Sequence, residues 1–210
     1  MSKSKTEARD SANLHGSAPD KSPVALLLID VINAFDFPEG EQLLKFALPM
    51  AHRIAELKSR LKAAGVPAIY INDNFGRWRS DFKAYVDHCL QKDVLGRPIV
   101  ELLKPESDDY FVLKPKHSGF YSTTLDTLLE YLGVETVIIT GVAANICVLF
   151  TANDAYMRDY RLLVPADCVA SNTKQRNEYA LEQIESILKA DVRPSTELSI
   201  DALSTSQRSE

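Results

Sequence analysis

Three side chains in this sequence could together make and break a covalent bond: the carboxylate of Asp30, the ammonium of Lys114 and the thiol of Cys147. Each falls at or just beyond the end of a short apolar run, the place where open α/β sheets present their ligand sites. Cys147 has the most informative surroundings. The run Gly141-Val142-Ala143-Ala144-Asn145-Ile146-Cys147 leads from an apolar strand through a tight turn into a helix. The thiol is therefore expected in the helix's first turn, where unpaired N–H groups and the helix dipole favour a thiolate. A free thiol, of pKa about 8.5, is only a few per cent ionised at neutral pH. A neighbouring Lys114 raises that fraction, and Asp30 can accept the proton. The same N–H groups can hold the oxyanion of a tetrahedral intermediate. Taken singly, each residue has a plainer reading: cysteine is among the most buried types, aspartate caps turns and lysine sits on surfaces. Their joint placement brings the two readings nearer to even.

The elements that must position these groups alternate between apolar runs and amphipathic stretches, the pattern of a parallel sheet covered by helices. Val24 to Ile29 reads as a buried central strand ending at Asp30. Glu41 to Ala64 has helical spacing and stops at Gly65 and Pro67. Ala68 to Asn72 is a second strand, Ser80 to Leu90 a short helix, and Gly96 to Pro98 a turn. Tyr110 to Leu113 is a third strand ending at Lys114. Thr124 to Leu132 is a helix closed by Gly133, and Thr136 to Thr140 a β-branched strand. A helix over Asn145 to Asp159, a strand over Arg161 to Val164, a helix over Lys174 to Ala190 and a weak sixth strand over Glu197 to Ile200 follow. No repeat or internal linker divides residues 23–203, which read as one domain. Residues 1–22 and 204–210 read as flexible ends.

Composition narrows the function classes. The 210 residues are 45% hydrophobic and 25% charged, with a net charge of −5. That balance suits a globular protein and argues mildly against nucleic acid or an anionic membrane as the main partner. No apolar stretch reaches the roughly 18 residues a membrane helix needs. Cys89, Cys147 and Cys168 are too scattered for a disulfide framework or zinc site. With no secretory core near Met1, a cytoplasmic location is expected, where a thiol stays reduced. Gly141-Val142-Ala143 lacks the further glycines of a dinucleotide fingerprint, and no cofactor is expected.

Four collinear segments are similar to the isochorismatase-like cysteine hydrolases. They are Leu27-Leu28-Ile29-Asp30, Val112 through Lys114-Pro115-Lys116-His117-Ser118-Gly119-Phe120, Gly141 through Cys147-Val148, and Thr151-Ala152-Asn153-Asp154-Ala155. The resemblance implies a doubly wound, Rossmann-like three-layer α/β fold, its six parallel strands in the order 3-2-1-4-5-6. It implies a catalytic triad of Asp30 as base, Lys114 and Cys147 as nucleophile. It also implies a cis peptide between Val142 and Ala143 that turns the Ala143 N–H, with that of Cys147, towards an oxyanion. Ile32 stands where many relatives carry Gln, Asn145 where an acid is common, and Gly119 where Ala is usual. The family's nicotinamidase branch holds a metal through Asp-x-His; here the stretch is Asp73-Asn74-Phe75, so no metal is expected.

The expected reaction is cleavage of an amide-like or carbamoyl C–N bond in a small molecule through a thioester on Cys147. Phe35, Asn74, Trp78 and Tyr121 are the candidate substrate contacts, and His117 reads as a solvated loop residue. Alternatives are vinyl-ether hydrolysis, which in relatives proceeds without the cysteine, a non-catalytic binding protein of the same fold, and a thiol redox sensor using Cys168. A homo-oligomer, dimer or tetramer, is expected because the helix after Cys147 carries apolar residues on more than one face.

Overall fold

The structure, a computed structural model, describes residues 21–74 and 81–200. Trp78 and most of both expected flexible ends lie outside the described residues. At the inner limit of the first end, Ser22 is buried. Its N–H donates to the Leu132 carbonyl (2.9 Å).

The central strand β1 (Val24–Ile29) is buried along its whole length. Its alternate residues feed two separate cores, as period-2 geometry requires when both faces of a sheet are covered. Leu26 and Leu28 join Tyr70 and Ile138 in a core beneath α1 (Gly40–Ala63), α2 (Phe82–Cys89) and α3 (Arg97–Leu102). Ala25, Leu27 and Ile29 join Ile69, Ile71 and Ile139 in a core on the opposite face. That second face is covered by α4 (Leu125–Leu132), α5 (Leu149–Tyr156) and α6 (Lys174–Ser186). This is the expected three-layer α/β arrangement.

The sheet is parallel. β1 lies between β2 (Ala68–Asp73) and β4 (Thr136–Val142), and β3 (Tyr110–Lys114) pairs with β2. β5 (Arg161–Leu163) pairs with the first part of β4, giving the order 3-2-1-4-5. The sixth strand, β6 (Val169–Ala170), bonds to β4 itself at Gly141 and Val142, above the stretch that β5 covers. It is not Glu197 to Ile200. That segment begins in a 3-10 turn, Ser195–Glu197, and the Ser195 and Leu198 carbonyls are taken by the Arg60 guanidinium (2.9 and 2.7 Å) rather than by a neighbouring strand.

Two helices differ from expectation for local reasons. Gly96 to Pro98 opens α3 instead of forming only a turn, because proline's fixed φ and missing N–H suit a first helical turn. α6 ends at Ser186, and Lys189 at φ 56 prevents its continuation to Ala190. Among the described residues, no helix is long and apolar enough to cross a membrane.

One buried ion pair ties α1 to the entrance of β3. Lys58 Nζ lies 2.6 Å from Asp109 Oδ2, with both side chains less than a tenth exposed, and it also donates to Tyr70 Oη (3.1 Å). Replacing Lys58 by methionine leaves Asp109 buried without its counter-charge. It is expected to lower unfolding free energy by about 3 kcal/mol in a urea titration.

Candidate active site

The carboxyl ends of β1, β2 and β3 lie side by side, and each delivers a charged residue to the same place. β1 stops as Asp30 adopts φ 51, a left-handed conformation that aspartate tolerates better than most side chains. Its Oδ1 accepts the Asp73 N–H from the end of β2 (2.8 Å). Its Oδ2 lies 2.9 Å from Lys114 Nζ, at the end of β3. Lys114 is 0% exposed, so its ammonium is withdrawn from bulk solvent. Asp73 Oδ2 faces the same ammonium at 3.7 Å. Asp73 and Lys114 are direct partners in the β2–β3 register, which places both side chains at one level of the sheet.

β4 supplies the third part. It runs beside β1 as far as the Ile29–Gly141 pair, where the backbones approach closely. A Cβ on Gly141, which has φ +112, would stand 2.1 Å from the Ile29 oxygen. No larger residue fits between the two strand ends without separating them. The Val142–Ala143 peptide after this point is cis. The chain then enters a π-helical turn, Ala144–Val148, before α5 begins. The expected first α turn is thus wider, with the Ile146 and Val148 N–H groups both closing on the Ala143 carbonyl (3.0 and 3.3 Å). π-turns of this kind recur at functional sites. Asn145 fastens the turn to β6: its N–H donates to Ser171 Oγ (3.3 Å), and Ser171 donates back to Asn145 Oδ1 (2.8 Å).

Half-buried Cys147 sits on this turn. Lys114 Nζ donates to its Sγ at 3.5 Å, and the same ammonium lies 2.9 Å from Asp30 Oδ2. The carboxylate, ammonium and sulfur therefore meet, although they come from β1, β3 and the segment after β4.

Burial and the neighbouring charges act on the Cys147 thiol, and not all in one direction. Burial raises the Cys147 pKa well above its ordinary value, the Asp30 charge raises it further, and Lys114 only partly offsets them. That direction favours the protonated sulfur over the thiolate. Burial likewise raises the Asp30 carboxyl, against the opposing pull of Lys114 and its hydrogen bonds. Burial works against the charged form of Lys114, but Asp30, Cys147 and Asp73 outweigh it and hold its pKa above the ordinary range. A buried site in which one ammonium faces both the acid and the thiol is well arranged to move a proton between them only when a reaction demands it.

The other sequence candidates fall in different places. Phe35 is 1% exposed in the core beneath α1, and its ring would lie 2.9 Å from a Cβ on Gly96; it packs the fold and presents almost no surface to a ligand. Asn74 is buried next to Asp73, its N–H donating to the Lys114 carbonyl (3.0 Å). Tyr121 is exposed. His117 is exposed as expected, yet its Nδ1 lies 3.9 Å from Cys147 Sγ, and its ring tilts against Phe150 at 5.5 Å. Cys89 and Cys168 are buried free thiols. Sequence reasoning missed Asp73 as a third charge in the site. Its place at the end of β2, level with Asp30 on β1, was the available signal.

This fold, with strand-end groups converging on a cysteine in a strand-to-helix turn, defines a hydrolase-like α/β site, and comparison with known proteins supplies the family. The isochorismatase domain model matches residues 24–194, and the chain belongs to the isochorismatase family of hydrolases. It is 46% identical to the uncharacterized isochorismatase family protein YaaI of Bacillus subtilis, over 82% of this chain and 94% of that one. It is 28% identical to ureidoacrylate amidohydrolase RutB of Methylorubrum extorquens, over 84% and 86% of the two chains. Among solved structures, N-carbamoylsarcosine amidase from Thermoplasma acidophilum aligns with a TM-score of 0.64 at 28% identity. That alignment covers 84% of this chain and 98% of the other.

Proposed function

We propose that this protein hydrolyses an amide or carbamoyl C–N bond of a small molecule through a thioester on Cys147. The observation that carries the reading is the place of the Lys114 ammonium, 3.5 Å from Cys147 Sγ and 2.9 Å from Asp30 Oδ2. The amidohydrolases among its relatives support the bond type.

In the proposed sequence, Asp30 takes the Cys147 proton as sulfur attacks the substrate carbonyl carbon. The new S–C bond pushes the carbonyl π pair onto oxygen, where the Ala143 and Cys147 N–H groups are the proposed donors. The C–N bond then breaks, and Asp30 passes its proton to the departing nitrogen, which leaves as ammonia or an amine. Water, losing a proton to the same carboxylate, attacks the thioester. The S–C bond breaks, the acid is released, and the proton returns to sulfur. Lys114 compensates negative charge wherever it resides, on the carboxylate or on the sulfur.

Purified protein should be incubated with ureidoacrylate, N-carbamoylsarcosine and a panel of primary amides, with ammonia release measured and acid-quenched samples weighed by mass spectrometry. The expected result is turnover of at least one compound with an acyl adduct mapped to Cys147. Turnover without any adduct, and undiminished in Cys147→Ala, would remove the covalent mechanism.

A further inference from the structure

Lys114 and Cys147 stand on different elements, so their 3.5 Å contact requires something that holds the loop after β3 against the turn after β4. We infer that Thr151, seconded by Ser118 and Asp154, is a positioning clamp that sets Cys147 against Lys114 and Asp30. The inference rests on the reading of Cys147 as the nucleophile.

Thr151 lies on α5 and is 0% exposed. Its hydroxyl donates to the Cys147 carbonyl one turn back (2.7 Å) and accepts the Gly119 N–H (3.0 Å). A hydroxyl has one proton to give and two lone pairs to receive with. A single oxygen thus joins the backbone of the nucleophile to the loop that continues from Lys114. The back-bond to a carbonyl one turn earlier is ordinary for threonine in a helix; the link across to Gly119 turns it into a tie between two parts of the site.

The second contact lies one helical turn further along. Ser118 Oγ donates to Asp154 Oδ2 (2.5 Å) and accepts the Phe120 N–H (3.1 Å). Arg158 secures Asp154 by donating to its carbonyl (2.9 Å). Thr123 holds the other side of the loop peptide through the Gly119 carbonyl (2.5 Å). The need for such a tie follows from the π-turn itself. Two of its N–H groups share one carbonyl, and this wide turn lacks the regular bonding that fixes a side chain on an α-helix. None of these groups touches the sulfur, carboxylate or ammonium, so the clamp acts through the placement of Cys147.

The test uses the full-length chain as wild type, Thr151→Val, Thr151→Ser and Ser118→Ala. Alkylation by iodoacetamide is followed across pH at Cys147 and at buried Cys89 by peptide mass, with circular dichroism to verify folding. Valine keeps the shape and removes both hydrogen bonds; serine keeps the hydroxyl. Since a misplacement of about 1 Å costs on the order of 10²-fold in a positioned reaction, Thr151→Val is expected to label Cys147 10- to 100-fold more slowly. Its pH profile should move upward, as Lys114 offsets less of the burial. Thr151→Ser should restore both rate and profile towards wild type, and Ser118→Ala should show the same change to a smaller degree.

A wild-type rate and profile in Thr151→Val would overturn the clamp, as would a serine variant no better than valine. If Thr151→Val does not fold, Ser118→Ala decides in the same way. Wild-type Cys147 labelling no faster than Cys89 would instead strike the nucleophile assignment, and the clamp with it.

Discussion

Cys147→Ala protein is expected to turn over its C–N substrate at least about 10⁴-fold more slowly than wild type, with KM little changed and no acyl adduct. The loss is large because alanine removes the atom that attacks carbon in the proposed mechanism. Asp30 and Lys114 remain, but water in place of sulfur would have to attack without the proximity that the turn provides. The fold should survive. Cys147 is half-buried against the second core, and alanine removes only its sulfur atom, so the melting temperature is expected to stay near that of wild type. Single-turnover kinetics with mass detection separates the two effects. A variant that retains a tenth of wild-type kcat would mean that the sulfur is not the attacking atom.

Lys114→Met carries the second large effect, expected as a fall in kcat/KM of about 10³-fold together with a displaced pH profile. In the wild type, burial already lifts the Asp30 carboxyl above its ordinary value, and Lys114 is the main group pulling it back. Without that cation the carboxyl rises further, and the ionised base appears only at higher pH. The acid limb of the activity profile therefore moves upward. Stability changes with a definite sign. A carboxyl whose folded pKa is raised contributes stability that is complete below its unfolded value, 3.8, and is lost as pH rises through the folded value. Relative to wild type, the variant should lose stability on going from acid to neutral pH. Lys114 itself is raised from 10.5, so its own contribution is complete below that value and disappears as pH climbs through the folded pKa. The wild type should show that alkaline loss and the variant should lack it. Urea titrations at a series of pH values measure both slopes, and parallel curves for the two proteins would contradict the assigned coupling.

Much of the frame was legible because burial on both faces writes itself plainly into sequence. The unbroken apolar run of Val24 to Ile29 has the bounds of β1, and the spacing of Leu43, Ala47, Ile54 and Leu61 marks the buried stripe of α1. Short or irregular pieces left no such trace. β6 has only two residues, Val169 and Ala170, too few for any periodicity, so a longer apolar stretch near Leu198 drew the assignment instead. The π-turn was equally hidden, since one extra residue per turn over five positions does not alter an apolar pattern. Within the site, the three reactive residues could be placed together through their strand-end positions and the family likeness. Their protonation could not. A first-turn position and a nearby lysine argue for a thiolate, and only the structure reveals how deeply the sulfur and its carboxylate neighbour are buried. Thr151 and Ser118 lay within recognised motifs, but the hydrogen bonds to Gly119 and Asp154 that tie their segments together join parts far apart in the chain.

The order in which the strands deliver these groups has a consequence for synthesis. A growing polypeptide gains its carboxylate with β1 and its ammonium with β3, and only after β4 does the sulfur emerge. Chains interrupted before that point lack the sulfur that the proposed mechanism makes the attacking atom. On that mechanism, unfinished copies of this protein have no means of forming the covalent intermediate.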